Sequence, residues 1–255
     1  MIKFTDATLS FGSIKALDHC SLEIKSGEQV ALIGPSGSGK SSLMKTITTE
    51  NLLSSGSLQI DSLNMDSVSS FDLKSIRRSI AYIPQDLALV PNIKVSQNVS
   101  LGSVGHESTL STLRNLTFPN KKRLDKIHAI LQEVGITDKM FHRTDSLSGG
   151  QQQRVAIARA IFQNASYLLA DEPVSAVDPT RAHSLLERLT SIATDHKLTL
   201  VCTLHNLEYA KKFFPRLIGM RSGAVSYDGS AQDFTENDFN ELYSLDYSKN
   251  TNLTS

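Results

Sequence analysis

The run QVALIGPSGSGKSSLMKTITT, Gln29 to Thr49, leaves few choices of fold. A continuous apolar stretch of strand length enters a glycine loop, and a helical pattern leaves it. In GPSGSGKS the three glycines Gly34, Gly37 and Gly39, interleaved with Pro35, Ser36 and Ser38, let the backbone curl until successive N–H groups point inward. The amino end of the following helix adds positive potential, so the nest fits a polyphosphate. Lys40 is placed to neutralise its outer oxygens and the Ser41 hydroxyl to take a Mg2+ coordination position, with Ser42 beside them on the helix. Such a unit belongs at the carboxyl edge of an open α/β sheet.

The remaining pattern agrees. IKFTDATLSF and HCSLEI read as short alternating strands, SGSLQID and SIAYIPQ as two more, and SYLLAD and LTLVCTLH as buried strands. The last two flank a helix carrying Leu185, Leu186, Leu189 and Ile192, and strand-helix-strand means a parallel sheet with crossover helices. Between Asp86 and about Ile161 the character turns helical: Leu124, Ile127, Leu131 and Val134 share one face and Gly135 follows as a cap. LIGMRSGAVSYDG predicts a hairpin about Ser222-Gly223, and the polar SKNTNLTS a frayed tail. The expected division is residues 1–85 and 162–235 for the sheets, 86–161 for an inserted helical sub-domain and 236–255 for the tail. With 26 basic and 26 acidic residues among 255, no global field recommends nucleic acid as a partner. No apolar run approaches the roughly 18 residues of a spanning helix, so membrane contact is expected only through a partner. Cys20 and Cys202 sit in apolar strands, as small hydrophobes.

Chemistry collects where strands end. YLLADEP delivers Asp171 and Glu172, two acids with two uses: Asp171 to hold Mg2+ and Glu172 to polarise an attacking water. Gln85 closes IAYIPQ and His205 closes LVCTLH. Gln85 could join the metal or water shell, and His205 could touch the γ-phosphate or orient Glu172. A second glycine-rich stretch, LSGGQQQRVAIARA from Leu147, has no lysine beside it. One chain has no use for two cradles.

The loop Gly34 to Ser41, Gln85, LSGGQ at Leu147 to Gln151, Asp171-Glu172, SAVD at Ser175 to Asp178 and His205, in this order, resemble the ATP-binding subunits of ABC transporters, across nearly the whole chain. The resemblance implies a P-loop NTPase fold of ABC type: a mostly parallel core sheet, an antiparallel β sub-domain and an inserted helical sub-domain. It implies an ATPase using ATP and Mg2+, with Ser41, Gln85 and Asp171 about the metal and Lys40, Gln85, Glu172 and His205 about the reacting phosphate. It also implies a head-to-tail homodimer in which Ser148, Gly149, Gly150 and Gln151 close over the ATP of the opposite subunit, with Asp178 in the same interface. Phe11 stands where the family usually stacks a tyrosine on adenine, and keeps the ring without the hydroxyl.

The segment between Gln85 and LSGGQ, with VSQNVSLG and the spacer STLRNLTFP, together with QQQ and TLHNLEYAKKFFPRLIGMRSG, is most similar to the ATPase of bacterial phosphonate importers. Val177, where leucine is usual, and Asn206, after the histidine, depart from the pattern. The implied setting is the cytoplasmic face of the inner membrane, bound to two integral permease subunits that a periplasmic solute-binding protein supplies with phosphonate or a related phosphorus oxyanion. An ABC importer of another substrate and a soluble ABC ATPase of DNA repair or translation are the rivals; a GTPase or small-molecule kinase lacks a use for LSGGQ.

Overall fold

The computed structural model describes residues 1–175 and 177–244; Ala176 of SAVD and the polar SKNTNLTS lie outside them. Strands β1 (Ile2–Phe11) and β2 (Ile14–Ile24) form a hairpin, and β3 (Gln29–Ile33) leads through the glycine loop into α1 (Lys40–Ile47). Then come β4 (Ser55–Ile60), the short β5 (Leu63–Asn64), α2 (Ser70–Ser79) and β6 (Ile80–Ile83). Four helices follow before the next strand: α3 (Val95–Ser100), α4 (Thr109–Thr117), α5 (Lys121–Glu133) and α6 (Gly149–Gln163). The chain returns through β7 (Tyr167–Asp171), α7 (Pro179–Asp195), β8 (Thr199–Thr203) and α8 (Leu207–Phe213). It finishes with the hairpin β9 (Arg216–Arg221) and β10 (Ala224–Ser230), then α9 (Glu236–Tyr243).

Two sheets result. The smaller, ordered β2-β1-β4-β5, is antiparallel throughout. The larger is ordered β10-β9-β3-β8-β7-β6, with every pair parallel except the β10–β9 edge. Its central strands β3, β7 and β8 are buried almost end to end, which is why they read as unbroken apolar runs. Alternate side chains serve opposite faces. Val30, Leu32, Leu169 and Val201 pack with Ile2, Leu22 and Ile60 of the antiparallel sheet, while Ala31, Ile33, Leu168 and Cys202 pack with Leu131, Val155 and Leu186 of the helices.

Several local features differ from the sequence expectation. β2 begins at Ile14, earlier than HCSLEI, because the hairpin absorbs its irregularities as register shifts, with Asp6 and His19 at φ of 48° and 51°. The STLRNLTFP spacer is helical: Ser108 caps α4 by accepting from Ser111 N at 3.3 Å. That helix turns polar groups inward beside the half-buried Leu116. Its inward side carries Asn115, which donates to Glu107 at 2.8 Å, and the buried Thr112 hydroxyl, which has no partner. Its outward side carries Leu110 and Leu113, with Phe118 just beyond, all largely exposed. Finally, α9 lies inside the stretch expected to be tail.

Candidate functional site

The glycine loop is built by close approaches that only glycine allows. Gly34 has φ of 140°, and a Cβ there would lie 2.2 Å from the Met220 carbonyl of β9; Gly39 has φ of 104°, with the Ala16 carbonyl 2.5 Å from its Cβ position. The loop therefore wedges between β9 and β2. Lys40 is 5% exposed, and its ammonium donates to the loop's own carbonyls, Gly34 O and Pro35 O, each at 2.9 Å. Burial pushes its pKa down, and the charges of Glu172 and Asp171 oppose this. The lysine is a cation held on temporary acceptors, and a polyphosphate would replace them with stronger ones.

Asp171 ends β7 and is 6% exposed. Its Oδ1 accepts from the Thr203 hydroxyl at 2.6 Å and lies 3.5 Å from the Ser41 hydroxyl, and its Oδ2 accepts from Tyr82 at 3.3 Å. Burial first, then the Asp171 charge, pushes the Tyr82 phenol well above its ordinary range, so Tyr82 remains a donor to the carboxylate. Ser41 and Asp171 present oxygen donors side by side at the helix terminus, the type of set a hard cation such as Mg2+ takes. Gln85 is not bonded to either of them; it bonds Glu172 instead.

Glu172 has φ of 50°, a left-handed conformation unusual outside glycine that turns the chain sharply off the strand. The Thr203 hydroxyl accepts from Glu172 N at 2.7 Å while donating to the Asp171 carboxylate, and so ties the backbone of one acid to the side chain of the other. The Glu172 carboxylate is clasped from two strands: Gln85 Nε2 donates to Oε2 at 3.1 Å, and His205 Nε2 bonds Oε1. The structure thus gathers Ser41, Gln85, Asp171, Glu172 and His205 at the carboxyl ends of β3, β6, β7 and β8, with Lys40 at the same edge.

The second glycine stretch stands apart. Ser148 caps α6, and its N–H donates to Gln151 Oε1 at 3.0 Å. The helix starts at Gly149. A Cβ at Gly149 would meet nothing within 4 Å, and one at Gly150 only the Arg181 side chain at 3.9 Å. Neither glycine has positive φ. Neither position is closed to a side chain by the described residues. Among the described residues, no hydrogen bond joins Ser148 to Gln151 with the phosphate loop. Phe11, at the far end of β1, is 54% exposed.

With both cradles placed, the comparison with known proteins is decisive: the sequence profile described as ABC transporter matches residues 17–175. The chain belongs to the ABC transporter family. A phosphonates import ATP-binding protein, PhnC 3, of Halalkalibacterium halodurans is 38% identical over 244 residues, covering 95% of this chain and 94% of the relative. A phosphate-import ATP-binding protein PhnC of Mycolicibacterium smegmatis is 37% identical over 238 residues, covering 93% and 90%. Among solved structures, the ATP-binding cassette MJ0796, a dimer in a post-hydrolysis state bound to ADP and Pi, superposes with a TM-score of 0.78 at 29% identity, covering 91% of this chain and 99% of that one.

In this ABC chain several neighbours of these side chains are not apparent from sequence. Tyr82 and Thr203 lie inside strands, where they pass for filler. Arg159, within AIARA of α6, donates to Leu87 O at 2.8 Å and Ala88 O at 2.5 Å, pinning the left-handed turn that follows Gln85. Gln153 donates to Pro173 O at 2.7 Å. The helix that begins at the second cradle therefore grips the backbone beyond both Gln85 and Glu172.

Proposed function

We propose that this chain is the ATP-hydrolysing subunit of an importer for phosphonate or a related phosphorus oxyanion, working as a homodimer beneath two permease subunits at the cytoplasmic face of the inner membrane, with a periplasmic solute-binding protein delivering the cargo. The observation that carries the hydrolytic part is the clasp on Glu172. A carboxylate bonded by Gln85 and His205 and rigidly placed through Thr203 is oriented to take a proton from a water facing the terminal phosphate. On ATP binding, Lys40 would exchange the carbonyls of Gly34 and Pro35 for phosphate oxygens, and the N–H groups from Ser36 to Ser42 would line the nest. Phe11 would stack on the adenine. Mg2+ held by Ser41 and Asp171, with Gln85 at the edge of its water shell, would neutralise developing phosphate charge.

The homodimer is supported from an unexpected side. Gly149 and Gly150 open α6, and no described residue packs closely enough on either to require glycine there. A close approach from outside would use the bare backbone. Ser148, Gly149, Gly150 and Gln151 would present N–H groups and a hydroxyl to a nucleotide held by the opposite subunit, with Asp178 across the same interface. The cargo reading rests on relatives named for phosphonate or phosphate import.

Glu172→Gln should keep ATP affinity and ATP-driven dimerisation while steady-state turnover falls at least about 100-fold. Turnover near that of the unmodified chain would remove the role given to Glu172. Reconstituted with its permease and binding protein, the ATPase should be stimulated by methylphosphonate or phosphate. Stimulation by neither would leave the ATPase intact and overturn the cargo.

A further inference from the structure

The last described helix reaches back to the phosphate loop. Gly34 N–H, at the point where β3 becomes the loop, donates to the Tyr243 hydroxyl at 3.1 Å across 209 residues of sequence. Nothing in the ATPase chemistry above uses this contact, and the surrounding packing shows that it is built. Thr235 and Asp238 cap the start of α9 reciprocally, with Thr235 N donating to Asp238 Oδ2 at 2.7 Å. Leu242 is 1% exposed and lies against Gly219, where even a Cβ would come within 3.2 Å of its methyl groups. Gly219 is the strand partner of Ile33, the residue before Gly34, so Leu242 seats α9 at the root of the loop. The Tyr243 ring packs on Phe239 with centroids 4.7 Å apart. Arg221 of β9 closes the helix by donating to the Glu241 carbonyl and to Ser244 O at 3.1 Å.

Gly34 is consequently held on every side. Its Cα faces the Met220 carbonyl, its own carbonyl accepts from Lys40, and its N–H ends on Tyr243. When phosphate draws Lys40 away, the Gly34 carbonyl loses that cation. The Tyr243 bond on the Gly34 N–H is then left in place at the start of the loop. We propose that Tyr243 is a positioning residue for nucleotide: through its hydroxyl, α9 holds the entrance of the phosphate loop in the ATP-accepting shape, so that the C-terminal helix contributes to ATP affinity without touching ATP. Burial raises the Tyr243 phenol and the Gly34 bond lowers it, with burial ahead, which keeps the hydroxyl neutral at ordinary pH.

This inference rests on the reading of the loop as an ATP site, and one set of measurements separates the two. ATP binding by calorimetry, the KM and kcat of hydrolysis, and the nucleotide-free melting temperature are compared in full-length chain, Lys40→Ala, Tyr243→Phe and Tyr243→Ala. Tyr243→Phe keeps the ring stack on Phe239 and removes only the hydroxyl. It should weaken ATP binding and raise KM about 3- to 10-fold, the scale of one lost hydrogen bond. Saturated kcat should stay unchanged, while the nucleotide-free melting temperature falls modestly because the buried Gly34 N–H is left short of a partner. Wild-type affinity in Tyr243→Phe, with weakening confined to Tyr243→Ala, would show a packing role alone and overturn the proposal. A fall in saturated kcat as large as the loss of ATP affinity in Tyr243→Phe would overturn it too. An unmodified chain that binds no ATP would sink the ATPase reading instead.

Discussion

Thr203 shows how much one hydroxyl can hold. It donates to Asp171 and accepts from the Glu172 N–H, in a position with no solvent exposure. Thr203→Val keeps the shape and leaves two buried partners short of a bond, which should cost about 1–3 kcal/mol in urea unfolding. It should also lower turnover, since both acids lose their common anchor. Lys40→Ala should bind ATP poorly in the same calorimetric assay, because no other ammonium replaces it at the nest. Residues at this scale were legible in unequal measure. Lys40, Gln85, Asp171, Glu172 and His205 each end or follow an unbroken apolar run, so a buried parallel strand advertises them. Thr203 could have been found as the polar break in LVCTLH. Tyr82 carried no such sign, because an aromatic inside a strand is ordinary core, and Arg159 was invisible because its partners are carbonyls of a turn that sequence does not reveal.

Helices divide into those whose faces follow the apolar pattern and those that do not. In α5, Ile127 and Leu131 are buried and the reading of one apolar face holds. α4 turns polar groups inward and leans through Asn115 on an ion pair outside it: Arg123 of α5 donates to Glu107 at 2.7 Å, both side chains being mostly shielded. Burial alone would raise the Glu107 pKa; hydrogen bonds from Arg123, Asn115 and Ser103 prevail and hold it at about 2. A carboxyl depressed in the folded state stabilises fully above its ordinary value of 4.5, and the contribution disappears as pH falls from there toward 2. Stability of Glu107→Gln should accordingly lose part of its pH dependence in that window, read from melting temperatures against pH. In α6 the two glycines are free of internal duty. Gly149→Ala should leave the melting temperature unchanged or raised, since alanine favours helix, while ATP-driven dimerisation measured by light scattering is lost. Dimerisation equal to wild type would mean that the second cradle is not a lid.

At the scale of the whole molecule, α/β class, parallel core and helical insertion follow from where apolar runs alternate, continue or adopt helical spacing, while the separate antiparallel sheet came with the family resemblance. What did not follow was contact between distant ends, such as α9 beneath the loop, since no local pattern records a partner two hundred residues away. Both cysteines are buried, with burial pushing the Cys20 thiol up to about 11 and raising Cys202 still further. A thiol reagent at pH 8 should label neither in the native chain and both in urea, as counted by mass. Strands β3, β7 and β8 lend alternate side chains to two separate cores, so neither core can come apart while the other keeps its wall. Protection therefore has no local address in this molecule: ATP settling on the strand ends should slow hydrogen exchange in β4, on the opposite side of the second core, as though the sheet between them carried one vote for both.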